Sequence, residues 1–267
     1  MSEDMTSRRS ESSFRPTRRS MLAVLAGIAM APSLRRAFAD DAPDPGLEPD
    51  NLMMAVTASY QALKSYADTG TVETRYQWPG TPTMLVEHHR FQTAFRAPRN
   101  FFFRFDADPT SGGDAYVVWC DGGPFQSWWK STGQHMVYNN GQGATGFLTG
   151  ESLTKGSVEL VAPHLFPKAL YGPAYRLLAP SDDGSEAIDG HSCHRIKAAA
   201  RITGVQTQDH RPTTIWVDDA LGLMRKIHLD AEADSAPKLI DDLTYVIDPQ
   251  PNPDLPDSRF TFTPPTG

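Results

Sequence analysis

Residues 50–78 read DNLMMAVTASYQALKSYADTGTVETRYQW, and the hydrophobic period changes within this stretch. In the first part, apolar residues recur every three or four positions, which predicts one amphipathic helix from Asp50 to Tyr66 with Asp50 as its N-cap. In the second part, apolar and polar residues alternate, which predicts a half-buried strand whose one face carries Val72, Thr74, Tyr76 and Trp78. The fold therefore opens with a helix that leads directly into a strand.

Most of the remaining chain consists of short strand-like runs separated by Gly, Pro, Asp and Asn. A turn at Pro79-Gly80-Thr81-Pro82 predicts that a second long strand, 83–96, pairs back on the first. Between residues 143 and 178 the pattern changes to Gly-interrupted, short helical pieces, among them 158–161 and 174–178. Further strands are predicted at 101–105, 115–120, 125–129, 135–138, 193–201, 213–217, 223–229 and 243–247.

This order of elements predicts a mainly β fold of the α+β class. We expect a single strongly curved antiparallel sheet, an unclosed β-barrel, capped by the N-terminal helix and by short lid helices. Ile215-Trp216-Val217-Asp218, a turn at Ala220-Leu221-Gly222 and a returning strand form a hairpin. Phe260-Thr261-Phe262-Thr263 alternates like a final strand and stops at two prolines, which cannot continue a ladder.

The first 39 residues have the pattern of a bacterial export signal. A basic region with Arg18-Arg19 precedes an apolar run from Leu22 to Ala31, and Ala37-Phe38-Ala39 fits a cleavage site. The paired arginines favour the twin-arginine route, and a basic N-terminal tail without this role is the alternative. We therefore divide the chain into a twin-arginine-type signal peptide, 1–39, cleaved after Ala39, and one periplasmic domain, 40–267, with an insert at about 141–178.

The charge of the mature domain limits its partners. Residues 1–39 hold seven of the 25 Lys and Arg and three of the 32 Asp and Glu, so the rest carries a formal charge of −11. This charge argues against nucleic acid and anionic membrane surfaces as partners. It does not exclude a buried apolar ligand, and we expect a monomer.

Cys120 and Cys193 are the two cysteines of the chain, and both lie in predicted strands. In an oxidising compartment such a pair can form one disulfide. A twin-arginine substrate folds before export, however, and two separately buried thiols fit the sequence equally well. Both alternatives stay open.

The sequence contains no coherent constellation for catalysis or for a cofactor. Residues 141–146 match G-x-G-x-x-G, but no buried strand precedes them and no helix follows, so we expect a loop. Neighbouring side chains on a strand diverge, which separates His88 from His89 and His191 from His194 as ligands of one metal ion. No nucleophile elbow is present. We therefore expect a protein that is not an enzyme and that has neither a cofactor nor a metal site.

Four features resemble the lipoprotein-carrier (LolA/LolB/RseB-like) superfamily of exported proteins. These features are the export signal, the helix 54–66 leading into Thr69-Gly70-Thr71-Val72-Glu73, the hairpin 215–227 and the closing Phe260-Thr261-Phe262-Thr263-Pro264-Pro265. The resemblance covers most of residues 50–265. It implies an unclosed barrel that is capped by helices and holds acyl chains.

From this resemblance we expect a non-catalytic binding protein that holds a lipid or lipoprotein acyl chain in an apolar cavity. A membrane-bound donor or acceptor protein would be a further partner. The cavity would be lined by the large inward residues of the sheet: Tyr76, Trp78, Phe101, Phe103, Phe105, Trp119, Trp129, Ile215 and Leu229. A sensory protein of the same fold that detects lipoproteins is the alternative, and a metal-dependent hydrolase is the lesser one.

Overall fold

The computed structural model describes residues 49–77, 80–107, 113–138, 154–166, 175–202, 210–230 and 240–265. The predicted signal peptide, Trp78, the G-x-G-x-x-G match and much of the insert at 141–178 lie outside these residues. Among the described residues, no helix is both long enough and apolar enough to cross a membrane.

The described elements are two helices and eleven strands, followed by one turn of 3-10 helix at Asp257–Phe260. The helices are α1 (Pro49–Gln61) and α2 (Val158–Leu165). The strands are β1 (Ser65–Gln77), β2 (Met84–Arg96), β3 (Asn100–Asp106), β4 (Ala115–Asp121), β5 (Phe125–Trp129), β6 (Gln134–Tyr138), β7 (Tyr175–Ile188), β8 (His191–Ile202), β9 (His210–Asp218), β10 (Met224–Leu229) and β11 (Ile240–Pro251).

All eleven strands form one antiparallel sheet in the order β6-β5-β4-β3-β2-β1-β11-β10-β9-β8-β7. Its first and last strands, β1 and β11, pair with each other in the middle, where Val72 lies opposite Tyr245. The order does not return on itself, so the sheet is not closed into a barrel. The predicted fold class is therefore confirmed.

Both helices cover one face of the sheet, which we call the inner face. The helical period of α1 places Leu52, Val56 and Tyr60 in the core, whereas Met54 is 71% exposed. Along β1, alternation directs Tyr66 and Val72 into the same core. The inner core continues across the sheet to Ile196, Ile215 and Ile227.

The opposite, outer face is partly covered by the C-terminal segment 252–265, which we call the strap. Phe260 of the strap is fully buried in a second apolar cluster with Phe102, Trp119 and Trp128. Asn252 fixes the start of the strap, because its backbone N–H donates to Ser65 O at 2.9 Å and its Oδ1 accepts from Lys64 N at 2.8 Å. Both faces of the sheet are thus apolar where they are covered.

The predicted helix Asp50–Tyr66 is shorter in the structure: it ends at Gln61, Asp50 lies within it rather than at its N-cap, and Tyr66 belongs to β1. Two further predicted elements differ in type. Residues 175–178, predicted as a helical piece, begin β7, whose backbone pairs with β8 from Tyr175 opposite Ile202 onwards. Residues 260–263, predicted as a strand, begin with the last residue of the 3-10 turn and do not join the sheet. In both places tertiary packing overrides the local pattern. Residues 175–178 pair with β8, and Phe260 fills the outer apolar cluster instead of entering a ladder.

Candidate functional site

A row of aromatic side chains runs along the inner face of β2 and β3. Phe101, Phe103 and Phe105 alternate along β3 and are at most 2% exposed. The β2 register places Phe95 opposite Phe101 and Phe91 opposite Phe105. Two-residue alternation on paired strands therefore brings these rings to one face, which we call the aromatic row.

One glycine makes room for this row. Gly70 on β1 lies opposite Phe91, and a Cβ at Gly70 would be 2.1 Å from the Phe91 ring. Any larger residue at position 70 would therefore push the ring out of its place.

The lid, which we define as residues 154–166, lies over the inner face. After Thr154 it contains Lys155 and Gly156, whose φ angles are +52° and +77°, and it continues as α2, in which all eight residues are buried. A positive φ is most easily adopted by glycine, so Gly156 suits this sharp entry. α2 also packs against α1.

Phe166, the last residue of the lid, fills one end of the aromatic row. Its ring lies edge-on to three others, with centroid distances of 5.3 Å to Phe95, 5.5 Å to Phe101 and 5.6 Å to Phe125. Edge-to-face contacts of this kind stabilise an aromatic cluster beyond simple burial. A side chain of the lid therefore occupies an aromatic pocket of the sheet.

Polar contacts hold the other end of the lid. Lys155 Nζ donates to Tyr76 OH at 2.6 Å and lies 3.5 Å from Glu87 Oε2. Tyr245 OH donates to the Lys155 carbonyl at 2.5 Å. Three strands, β1, β2 and β11, thus contribute to fixing the start of the lid.

His164 joins the lid to α1. Its Nδ1 is 2.9 Å from Thr57 Oγ1, and its ring is stacked on Tyr60 with centroids 5.2 Å apart. Burial lowers the pKa of His164 to about 4, so the ring is neutral at pH 7. Its Nε2 is buried, and no described residue gives it a hydrogen bond.

Asp68 is a fully buried carboxyl under the same helices. Its Oδ2 accepts from Tyr66 OH at 2.8 Å and its Oδ1 accepts from Thr93 N at 2.7 Å. Burial raises the pKa of Asp68 to about 6, although these hydrogen bonds favour the charged form.

The structure places five predicted lining residues in the inner core: Phe101, Phe103, Phe105, Ile215 and Leu229. Tyr76 and Trp129 are half-buried and lie at the margin of this core. The Tyr76 hydroxyl accepts a hydrogen bond from Lys155 of the lid, and the Nε1–H of Trp129 donates to Asp114. Trp78 lies outside the described residues.

The predicted position of Trp119 on the inner face is wrong. Trp119 is paired with Phe102 and packs in the outer cluster against Phe262 of the strap, with ring centroids 5.1 Å apart. Its neighbours Val118 and Cys120 face the inner core instead. Because both faces of β4 are covered, both are apolar, and alternation alone does not show which is the inner one.

Cys120 and Cys193 are both buried free thiols, so the structure has the second of the two predicted alternatives. Cys120 Sγ donates to Gly123 O at 3.2 Å, and Cys193 Sγ donates to His191 O at 3.5 Å. Burial raises the pKa of both thiols, and that of Cys193 reaches about 11. Neither is therefore a reactive thiolate at neutral pH.

In the described parts of the chain, no three His, Cys, Asp or Glu side chains come together as a metal site. His88 and His89 point to opposite faces, since the first is exposed and the second is buried.

A cleft of about 720 Å³ lies on the opposite side of the sheet, over the middle of β1, β2 and β11. Its walls include charged and polar side chains, among them Thr69, Thr71, Arg90 and Asp248. An apolar chain bound there would desolvate these groups, which distinguishes this cleft from the aromatic row.

Several residues of the site did not follow from the sequence. Phe91 and Phe95 show the strand period within β2, and this signal was available. Phe166, Lys155 and His164 carry no local signal of their role, because the lid reaches the sheet only through tertiary packing.

Comparisons with known proteins give similarities of fold. No protein-family model and no curated protein matches the sequence. A LolA superfamily protein from Nitrosomonas europaea is similar in structure, with 15% identity, 81% of this chain and 98% of that chain covered, and a TM-score of 0.34. The lipoprotein LppX from Mycobacterium tuberculosis is similar as well, with 14% identity, 82% of this chain and 94% of that chain covered, and a TM-score of 0.37.

A chain of the MucA/MucB complex from Pseudomonas aeruginosa is also similar, with 10% identity, 78% of this chain and 59% of that chain covered, and a TM-score of 0.38. Proteins of the LolA superfamily are thus among the solved structures that match.

Proposed function

We propose that this protein is a non-catalytic periplasmic binding protein that holds the acyl chain of a lipid or lipoprotein on the aromatic row, beneath the lid. It would be exported by the twin-arginine signal, cleaved after Ala39, and would act as a monomer that receives its ligand from a membrane-bound donor or passes it to an acceptor.

The position of Phe166 carries this proposal. The pocket formed by Phe95, Phe101 and Phe125 is apolar and is filled by a side chain from a short, separate segment rather than by the sheet itself. A pocket of this kind can exchange its occupant, because withdrawal of one segment exposes it without disturbing the strands. In the closed structure the Phe166 ring thus occupies the place that we assign to part of the acyl chain.

The cost of exposing Phe166 is similar to the gain from burying a few CH₂ groups of a ligand. Exposing one Phe side chain costs about 1.5–3 kcal/mol. Each CH₂ group that leaves water contributes about 0.8 kcal/mol, so roughly two to four CH₂ groups offset the loss of the Phe166 contact. A longer acyl chain supplies more than this and can also offset part of the cost of moving α2.

Binding of a fluorescent fatty acid, used as its neutral methyl ester, to the mature protein tests the proposal. Phe166→Ala removes the competing side chain, and we expect it to bind the probe roughly tenfold more tightly than the wild type, which corresponds to about 1.4 kcal/mol. Phe262→Ala is the matched control, because Phe262 is an aromatic residue of the strap on the outer face, and we expect it to leave the affinity unchanged.

Circular dichroism of each variant would show that it is folded. If folded wild type and folded Phe166→Ala both fail to take up the probe, the protein is not an acyl-chain carrier.

A further inference from the structure

Polar groups collect at the end of the aromatic row that is opposite Phe166. They come from β1, β2 and the start of the lid, and we call them the polar end: Thr74, Glu87, His89, Thr154 and Lys155. Thr74, His89 and Thr154 are buried, whereas the side chains of Glu87 and Lys155 are partly exposed. Glu87 Oε2 joins two members of the polar end, since it is 3.5 Å from Lys155 Nζ and 3.5 Å from His89 Nε2.

Three atoms of the polar end are buried without a hydrogen-bond partner among the described residues. These atoms are Thr74 Oγ1, Thr154 Oγ1 and His89 Nε2, on residues that are 1%, 0% and 7% exposed. The contact of His89 Nε2 with Glu87 does not have hydrogen-bond geometry. Unpaired buried polar atoms are rare in native proteins and costly, so these three atoms can gain hydrogen bonds from a polar group of a bound ligand.

The tautomer of His89 defines the chemistry of that group. His89 Nδ1 is 2.5 Å from the Ala107 carbonyl, which only accepts hydrogen bonds, so Nδ1 carries the proton. In the neutral ring Nε2 is then an acceptor and needs a donor. The two threonine hydroxyls either donate or accept. A hydroxyl group meets these requirements, because it donates to the ring and accepts from a threonine.

The charges of the polar end favour a neutral ligand. The cation of Lys155 is already close to the carboxylate of Glu87 and donates to Tyr76 OH. An anion placed near His89 Nε2 would meet the Glu87 carboxylate, which repels it.

The polar end is continuous with the aromatic row. The rings of His89 and Phe105 are 5.3 Å apart, and Phe105 is the inner residue of β3 farthest from Phe101, which touches Phe166. At about 3.4 Å per residue, the row between Phe101 and Phe105 is about 14 Å long. A molecule with an apolar chain and a polar head therefore fits along it in one direction.

We propose that the polar end binds the neutral, hydroxyl-bearing head group of the lipid, such as the glycerol of an acylglycerol, while the acyl chain lies on the aromatic row. This inference rests on the proposed function and adds the class of head group. It also assigns the direction of the chain, with the head at His89 and the tail towards Phe166.

Two ligands with the same acyl chain test it, dodecanoylglycerol and methyl dodecanoate, each used to displace the fluorescent fatty acid from the mature protein. We expect the wild type to prefer dodecanoylglycerol about tenfold, which is the effect of one or two hydrogen bonds. Thr74→Val keeps the shape of the side chain and removes the hydroxyl, so it should bring this preference to about threefold or less with unchanged affinity for methyl dodecanoate.

Thr71→Val is the matched control, since Thr71 is exposed on the outer face of the same strand, and it should keep the full preference. If neither ligand displaces the probe and the probe itself does not bind, the proposed function fails. If both ligands bind equally to the wild type, acyl binding stands and the head-group site is overturned, with a trapped water as the partner of the buried atoms. A preference for dodecanoate anion over dodecanoylglycerol would also overturn it.

Discussion

The two covers of the sheet are attached in different ways. The strap on the outer face is held by paired groups: Arg96 Nη1 donates to Leu255 O at 3.0 Å, and Arg259 Nη2 donates to Gln92 Oε1 at 2.7 Å. The lid on the inner face leaves His164 Nε2 and Thr154 Oγ1 buried without a described partner. From this difference we infer that the strap is a permanent cover, whereas the lid is the cover that a ligand can displace.

The two faces also differ in how their buried carboxyl groups are paired. On the outer face Arg225 Nε is 2.5 Å from Asp218 Oδ2, and the two side chains are 6% and 3% exposed. On the inner face Asp68 is buried with Tyr66 and Thr93 as its hydrogen-bond partners. The Asp218 carboxylate on the outer face is therefore paired with a cation, whereas the ionisation of Asp68 on the inner face depends on pH.

Breaking the outer ion pair is expected to have the largest effect. Arg225→Met leaves the Asp218 carboxylate buried without its cation, which should lower the free energy of unfolding by about 3–5 kcal/mol. Urea denaturation at pH 7 measures this. Lys226→Met is the control, because Lys226 is half-buried and lies over the Trp216 ring at 4.6 Å, and it should cost less than about 1 kcal/mol. Equal losses in both variants would contradict the role given to the pair.

Acid should loosen the lid. His164 has a pKa of about 4 when the lid is closed and an ordinary pKa near 6.5 when it is solvated. The closed lid therefore has its full stability above pH 6.5, where His164 is neutral whether the lid is closed or open. As the pH falls towards 4 only the open form binds the proton, and the closed lid loses about 3 kcal/mol of stability in total. Hydrogen exchange of the α2 amides, corrected for intrinsic rates, should therefore show weaker protection at pH 5 than at pH 7.

His164→Leu removes the titrating ring and should abolish this difference between the two pH values. If protection in His164→Leu still falls at pH 5, another group opens the lid.

Asp68 acts in the opposite direction. Its pKa is raised from 3.8 to about 6, so its contribution to stability is complete below pH 3.8 and is lost as the pH rises through 6. Asp68→Asn does not ionise. The free energy of unfolding of this variant, relative to the wild type, should therefore rise by about 2.4 kcal/mol between pH 4 and pH 7. A difference that is constant with pH would show that Asp68 is not the titrating group.

Sequence reasoning predicted the elements that carry a strong local period. α1, the strands β1 and β2 that follow it, and the hairpin of β9 and β10 follow from periodicity and turn residues, and Ile215 indeed lies opposite Ile227. The aromatic residues of β3 were also predicted to face inward, and they do.

What the sequence did not show depends on contacts between distant segments. Trp119 and Phe260 are as apolar as Phe103, and only the position of the strap places the first two on the outer face. Likewise, the pairing of His164 with Thr57 joins residues 107 positions apart. Local pattern predicts which residues are buried, but tertiary packing decides in which of two cores they lie.

The smallest expected effect concerns the strap. Arg259→Gln removes the hydrogen bond to Gln92 and the guanidinium that lies 5.2 Å from the centre of the Phe102 ring, so we expect a loss of about 1 kcal/mol in the free energy of unfolding. Because the strap covers the outer face, affinity for the fluorescent fatty acid should stay within about twofold of the wild type, well below the tenfold step of 1.4 kcal/mol. A loss of probe binding in folded Arg259→Gln would mean that the two faces are coupled through the sheet. The distinction between a permanent and an exchangeable cover would then fail.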